Sequence, residues 1–151
     1  MNNKVLIPII AFSLLFFMGI SFLVNPSYQK SIQAKYYFET GDYKEALVLA
    51  KESFAMDVYN RMASTVMAQS ITALKYVEYI ESGKTYMTQI NEIATHENIS
   101  DADRAKIKII CEIMVDSYVK LAPSVITDKE LVSQAAKYNA NFEKLLEKVN
   151  R

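Results

Sequence analysis

Hydrophobic positions along the chain fall into two regimes. The first is an unbroken apolar run, Val5 to Val24 (VLIPIIAFSLLFFMGISFLV), which holds 20 residues and no charge. As a helix at 1.5 Å per residue, such a run extends about 30 Å, the thickness of a hydrocarbon core, and it therefore predicts a single transmembrane helix. A cleaved signal peptide and a buried core helix are the competing readings. Signal peptides carry about 7–15 apolar residues ahead of a small-x-small site, whereas the only tolerable site here, Gly19-Ile20-Ser21, lies inside the run. No cysteine lies near the end of the run to carry a lipid. The expectation is an uncleaved signal-anchor: head 1–4, membrane helix 5–24, linker 25–27 at Asn25-Pro26-Ser27, and a folded part 28–151. The bilayer is thus an expected partner through residues 5–24.

Beyond Pro26 the pattern changes to a helical period with regular punctuation. A short helix is expected over Tyr28–Glu39, ended at Thr40-Gly41, where glycine can take the left-handed conformation. Asp42 and Glu45 form a capping box for the next helix, which runs to about Met56. A third, from about Asn60 to Ser82, sets Ala63, Met67, Ile71, Leu74, Val77 and Ile80 at steps of three or four, one apolar face; Gly83 is expected to stop it. A fourth covers Ile90 and Ile93. Ser100-Asp101-Ala102-Asp103 caps a fifth helix that ends near Ala122-Pro123. Thr127-Asp128-Lys129-Glu130 opens a last one over 127–150. There Leu131, Ala135, Tyr138, Phe142, Leu145 and Val149 form a coiled-coil-like seam, for packing on the fifth helix or for homodimerisation. The fold class is all-α, with about six helices after the membrane segment.

The stretch Ala34 to Leu47 (AKYYFETGDYKEAL) resembles the centre of a tetratricopeptide repeat, a 34-residue helical hairpin. The family places a small residue at the position of Ala34, an aromatic at Tyr37, a turn at Gly41-Asp42-Tyr43, and a second small residue at Ala46. Asp57 falls at the end of the unit. Lys30, Gln33 and Val58 depart from the family pattern, and the likeness is confined to about 28–60. Stacked hairpins of this kind form a partner-binding groove. The resemblance implies a groove side made by Ser31, Lys35, Phe38 and Glu39, continued by Thr65, Gln69 and Thr72, or else a groove filled by the chain's own last helix. Tyrosine is frequent, with ten residues. Tyr37 and Tyr43 read as packing residues, while Tyr76 and Tyr79 read as interface candidates, because a tyrosine buries area and keeps a polar tip.

Composition narrows the chemistry. Lys and Arg number 17 against 17 Asp and Glu, for a net charge of 0, which argues against nucleic acid because a phosphate-binding domain carries a basic stripe. One His and one Cys cannot make a zinc site, so neither metal nor cofactor is expected. His96 sits in a polar loop-like stretch and the three glycines are far apart, which leaves no triad and no phosphate loop. Glu52-Ser53 and Glu81-Ser82 resemble the catalytic Glu-Ser of lytic transglycosylases over two residues, a match short enough to set aside. Cys111 alone does not identify a redox compartment.

The expected function is a non-enzymatic, membrane-anchored protein–protein interaction module. It would be a chaperone-like scaffold or assembly factor for a cell-envelope complex such as secretion or flagellar machinery. Lys4 on one flank faces Lys30 and Lys35 on the other, so charge hardly sets the orientation. A four-residue head ordinarily stays in the cytoplasm, which in a bacterium puts the domain in the periplasm, anchored to the inner membrane. The alternatives are a structural protein dimerising through its last helix and, more distantly, a peptidoglycan-cleaving enzyme using Glu52 or Glu81.

Overall fold

A computed structural model of the chain describes residues 3–96, 98–123 and 127–150, and along the first helix the side chains of 7–20 and Val24. Among these residues the protein is all-helical, with α1 Asn3–Val24, α2 Pro26–Glu39, α3 Tyr43–Met56, α4 Arg61–Ala94, α5 Asp101–Val119 and α6 Lys129–Val149. It divides into two compact units, Met1–Ser70 and Ile71–Arg151, with α4 contributing to both.

In the first unit α1 is helical through the whole expected apolar run. From Ile7 to Ile20 every large apolar side chain is exposed, Phe12 at 72%. Over their described residues, however, none of the helices is long and apolar enough to cross a membrane. The expected span also includes residues 5, 6 and 21–23, whose side chains lie outside the described set. The linker is shorter than the sequence implies. Only Asn25 separates α1 from α2, and its Oδ1 accepts from the Ser27 amide at 2.9 Å, capping a helix that has proline in its first turn.

Helices α2 and α3 then form a hairpin closed by Gly41, whose φ of +87° suits a residue without a Cβ. Asp42 caps α3 by accepting from the Glu45 amide at 3.2 Å. The hairpin packs on small side chains: Ser27, Ser31 and Ala34 on α2, and Ala46, Ala50 and Ser53 on α3, are all buried. Such seams let two helix backbones approach closely, so the crossing gains dispersion contacts although little bulky apolar surface is buried. Tyr37, Phe38 and Leu49 flank it, and Phe38 meets Tyr43 edge-on at 5.4 Å.

The second unit has the larger core. Tyr76, Tyr79, Ile80, Ile90 and Ile93 of α4 pack with Ile107, Ile110, Cys111 and Met114 of α5 and with Ala135 and Phe142 of α6. The expected seam of α6 lies in this core, since Leu131, Tyr138, Leu145 and Val149 pack around Ala135 and Phe142. Its apolar stripe is therefore used within the chain. Ser100 and Asp103 form a reciprocal capping box at the start of α5. The Ser100 hydroxyl and amide hold the Asp103 carboxyl below its ordinary range, with His96 and Lys106 adding to the effect. The cap of α6 is Asp128, which accepts from the Glu130 amide at 2.8 Å, one residue later than the expected start at Thr127. Residues 124–126, between these helices, lie outside the description.

One expectation fails outright. Gly83 does not stop a helix; α4, 34 residues long, runs through it, so among the described residues five helices follow α1 rather than about six. The reason is packing. A Cβ at Gly83 would sit 3.0 Å from Cδ1 and 3.1 Å from Cγ of Tyr138, so the missing side chain makes room for an α6 ring. The face of α4 is also shifted from the apolar series in the sequence. Ile71 is exposed, whereas Ala63, Val66, Ser70, Ala73 and Tyr76 are buried. Small residues set the close side of this helix, and hydropathy alone misplaces it.

Gly83→Ala sets overpacking of about 1–3 kcal/mol against a helix-propensity gain of about 1 kcal/mol, and a net loss is expected. In a Tyr138→Ala background the obstacle is gone and the same change should stabilise. Urea melts of the four combinations check this, and a stabilising Gly83→Ala in the wild-type background would show that the ring does not need the space.

Candidate functional site

The residues assigned to a partner groove fall in both units. Ser31, Lys35, Phe38, Glu39, Thr65 and Gln69 belong to the first unit, and Thr72, Tyr76 and Tyr79 to the second. Lys35, Glu39 and Thr65 are exposed, while Phe38, Gln69 and Thr72 are half-buried. Ser31 is fully buried, with its hydroxyl donating to the Tyr28 carbonyl at 2.9 Å and accepting from Asn60 Nδ2 at 3.2 Å. It is a packing residue and cannot line a groove. Tyr76 and Tyr79, at 2% and 5% exposure, are core residues, although Tyr79 also lines a cleft of the second unit. The expected packing residues Ala34, Tyr43 and Ala46 are buried, Tyr37 is half-buried, and Gly41 makes the turn.

What the second unit does present is a cleft of about 330 Å³ between successive turns of two helices. Lys75, Glu78, Ser82 and Tyr86 come from α4 at steps of three or four, with Tyr79 next to Glu78, and Ile113, Met114 and Ser117 come from α5, followed by Lys120 and Leu121. Its lining mixes apolar side chains with two amines, a carboxylate and two serine hydroxyls. The Tyr79 ring lies tilted by 50° to that of Tyr118, with ring centroids 5.8 Å apart, and its hydroxyl is buried without a hydrogen-bond partner. Burial first, then Tyr118 and Glu143, push its pKa up to about 12, so at neutral pH it is an O–H able to donate. An unpaired buried hydroxyl is costly, by about 1–3 kcal/mol.

The cleft offers a ligand both apolar side chains and hydrogen-bonding groups. Among the described residues no three His, Cys, Asp or Glu side chains converge to hold a metal. Glu52 is exposed and pairs with Lys30 across the hairpin, and Glu81 is exposed on α4. His96 is exposed, 4.0 Å from an Asp103 oxygen. Cys111 is buried, and burial raises its pKa, with Glu112 adding to the rise.

The cleft was accessible to sequence reasoning only in part. Tyr79 stood out in the sequence, but Tyr86 joins its face only because α4 continues through Gly83, and the partner turn on α5 depends on tertiary packing. Comparison with protein-family models, with curated proteins and with solved structures finds no match to this chain.

Proposed function

We propose that this protein is a membrane-anchored interaction module, a scaffold or assembly factor whose helical part holds another protein of a cell-envelope complex. The observation that carries the proposal is α1, whose described apolar side chains are exposed on every side. A helix that is apolar all round belongs in lipid or inside another protein. Each large side chain left in water forgoes about 1.5–3 kcal/mol of burial, so a bare α1 in solution is the least favourable of its options. The uncharged run Val5–Val24 gives it the length to cross. The short head before it favours a domain on the extracytoplasmic side. Tetratricopeptide-like packing of the α2–α3 hairpin is supported by the small residues at its crossing and by Gly41 at its turn. Solvated Glu52 and Glu81 favour binding over catalysis. The α4–α5 cleft supplies the partner site, and it suits an apolar segment that carries a hydrogen-bond acceptor.

Alkaline extraction of membranes from cells expressing the full chain tests the anchor. The protein should stay in the pellet, and Leu14→Arg, costing about 2.5–3.5 kcal/mol at a helix centre, should move much of it to the supernatant. Wild-type protein washed free by the same treatment sinks the proposal. For the partner, crosslinking in solubilised membranes should yield a defined adduct that Ser117→Arg, placed in the cleft, abolishes while the helical content is unchanged.

A further inference from the structure

The segment joining α3 to α4 carries apolar side chains that nothing in the first unit covers. Met56 and Val58 are 54% and 59% exposed, and Tyr59 is 88% exposed. Asp57 closes this turn, its Oδ1 accepting from the Tyr59 amide at 2.9 Å and its carbonyl from the Asn60 amide at 3.1 Å. The turn is thus a formed loop that holds its apolar side chains outward.

Hydrogen bonds fix where this loop lies. Asn60 Nδ2 donates to Ser27 Oγ at 2.9 Å, Ser27 Oγ donates to the Ser53 carbonyl at 3.0 Å, and Ser53 Oγ donates to the Ser27 carbonyl at 2.7 Å. The loop is therefore tied to the first turn of α2, at the end of the hairpin where α1 enters. From Val24 to Ser27 the chain can reach at most about 10 Å. The headgroup layer on one side of a bilayer is roughly 5–8 Å deep.

We infer that the Met56–Tyr59 loop is a second membrane contact, a lipid-interface foot that sets the hairpin's base in the headgroup layer beside the point where α1 emerges. This rests on α1 being inserted. Tyrosine suits that layer because its ring is apolar and its hydroxyl stays hydrated. Arg61, exposed one residue beyond Asn60, carries a guanidinium suited to lipid phosphate. The nearby acids do not oppose the contact, since Glu52 is paired with Lys30 and Asp57 is engaged by the Tyr59 amide. The foot limits how the hairpin tilts about the single residue Asn25, and so presents the domain at a set angle to the bilayer.

The chain has no tryptophan, so one introduced indole is a clean reporter of depth. Full-length Tyr59→Trp, Phe16→Trp and Tyr36→Trp proteins are reconstituted into phosphatidylcholine vesicles containing lipids brominated at shallow or deep acyl positions. Tyr36 is exposed on α2, nine residues beyond Ser27, and serves as the far-end control. The indole at 16 should be quenched most by the deep label. The indole at 59 should shift to the blue and lose about half its emission to the shallow label, and the one at 36 should keep its emission. An unquenched indole at 59 with a quenched one at 16 overturns the foot and leaves the anchor standing. Equal quenching at 36 and 59 overturns it too, because the hairpin then lies flat on the bilayer. An unquenched indole at 16 removes the anchor and the foot together.

Discussion

Phe142→Ala should destabilise the second unit by about 3–5 kcal/mol, the range for deleting a fully buried ring. Phe142 is 0% exposed at the centre of α6, and it packs in the same core as Met114, Cys111 and Ala135, which are themselves buried. Truncation leaves a hole that two short stretches of α4 and α5 would have to fill, and residues already this closely packed relax only in part. Domains of this size hold about 5–15 kcal/mol in all, so the variant should sit near its unfolding threshold. Urea melts followed by circular dichroism should show a lower midpoint with an unchanged slope. Phe142→Leu should cost under about 1.5 kcal/mol, and the exposed Lys144→Ala within about 0.5 kcal/mol. A loss below about 1 kcal/mol for Phe142→Ala would mean that α6 is not seated as described. The melts also test the dimerisation alternative. A seam shared between copies makes the midpoint rise with protein concentration, whereas a seam spent within one chain leaves it fixed.

Punctuation in the sequence located most helix ends, because capping is a local matter. Asp42, Gly41 and Ser100 each act through neighbours two or three residues away, and the chain carries those neighbours in plain view. Gly83 misled for the same reason. Locally it has the character of a stop, yet its role is set by the Tyr138 ring, 55 residues on in the chain, which no local pattern reveals.

The candidate site was less legible. Tyr76 and Tyr79 stand out in composition, but whether a tyrosine is core or surface depends on what α5 and α6 lay over it. Of the cleft's α4 side the sequence singled out only Tyr79, and it did not indicate that Ile113, Met114 and Ser117 would face it. Exposure of the Met56–Tyr59 loop was hidden likewise. A hydrophobic residue in a turn is identified as uncovered only once its neighbours are placed.

The sequence set a helix start near Asn60 but gave no sign that Ser27, Ser31, Ser53 and Asn60 meet at the base of the hairpin, and replacing one of them gives the second large effect. Ser27, Ser31, Ser53 and Asn60 are buried at 0–2% exposure. Each serine has committed its proton to a carbonyl: Ser27 to Ser53, Ser53 to Ser27, and Ser31 to Tyr28. Their remaining lone pairs converge on Asn60 Nδ2, at 2.9, 3.2 and 3.3 Å for Ser27, Ser31 and Ser53. Asn60 Oδ1 meanwhile accepts from the Ala63 amide at 3.1 Å, capping the start of α4. The position therefore needs a donor on one side and an acceptor on the other, which asparagine supplies without charge. Asn60→Ala loses the cap, about 1 kcal/mol, and leaves buried acceptors short of a donor, so a total cost of about 2–4 kcal/mol is expected. Asn60→Asp keeps the capping oxygen but sets a carboxylate against three oxygen lone pairs. Its folded pKa must then lie above the unfolded value of about 3.9. Above that value the folded state binds more protons than the unfolded one, so stability falls as pH rises until the folded pKa is passed. Melts at pH 4 and pH 7 should therefore separate the variants: relative to wild type, Asn60→Asp weakens toward pH 7 and Asn60→Ala does not. Equal behaviour of the two would mean that the serine oxygens do not confront position 60 with lone pairs.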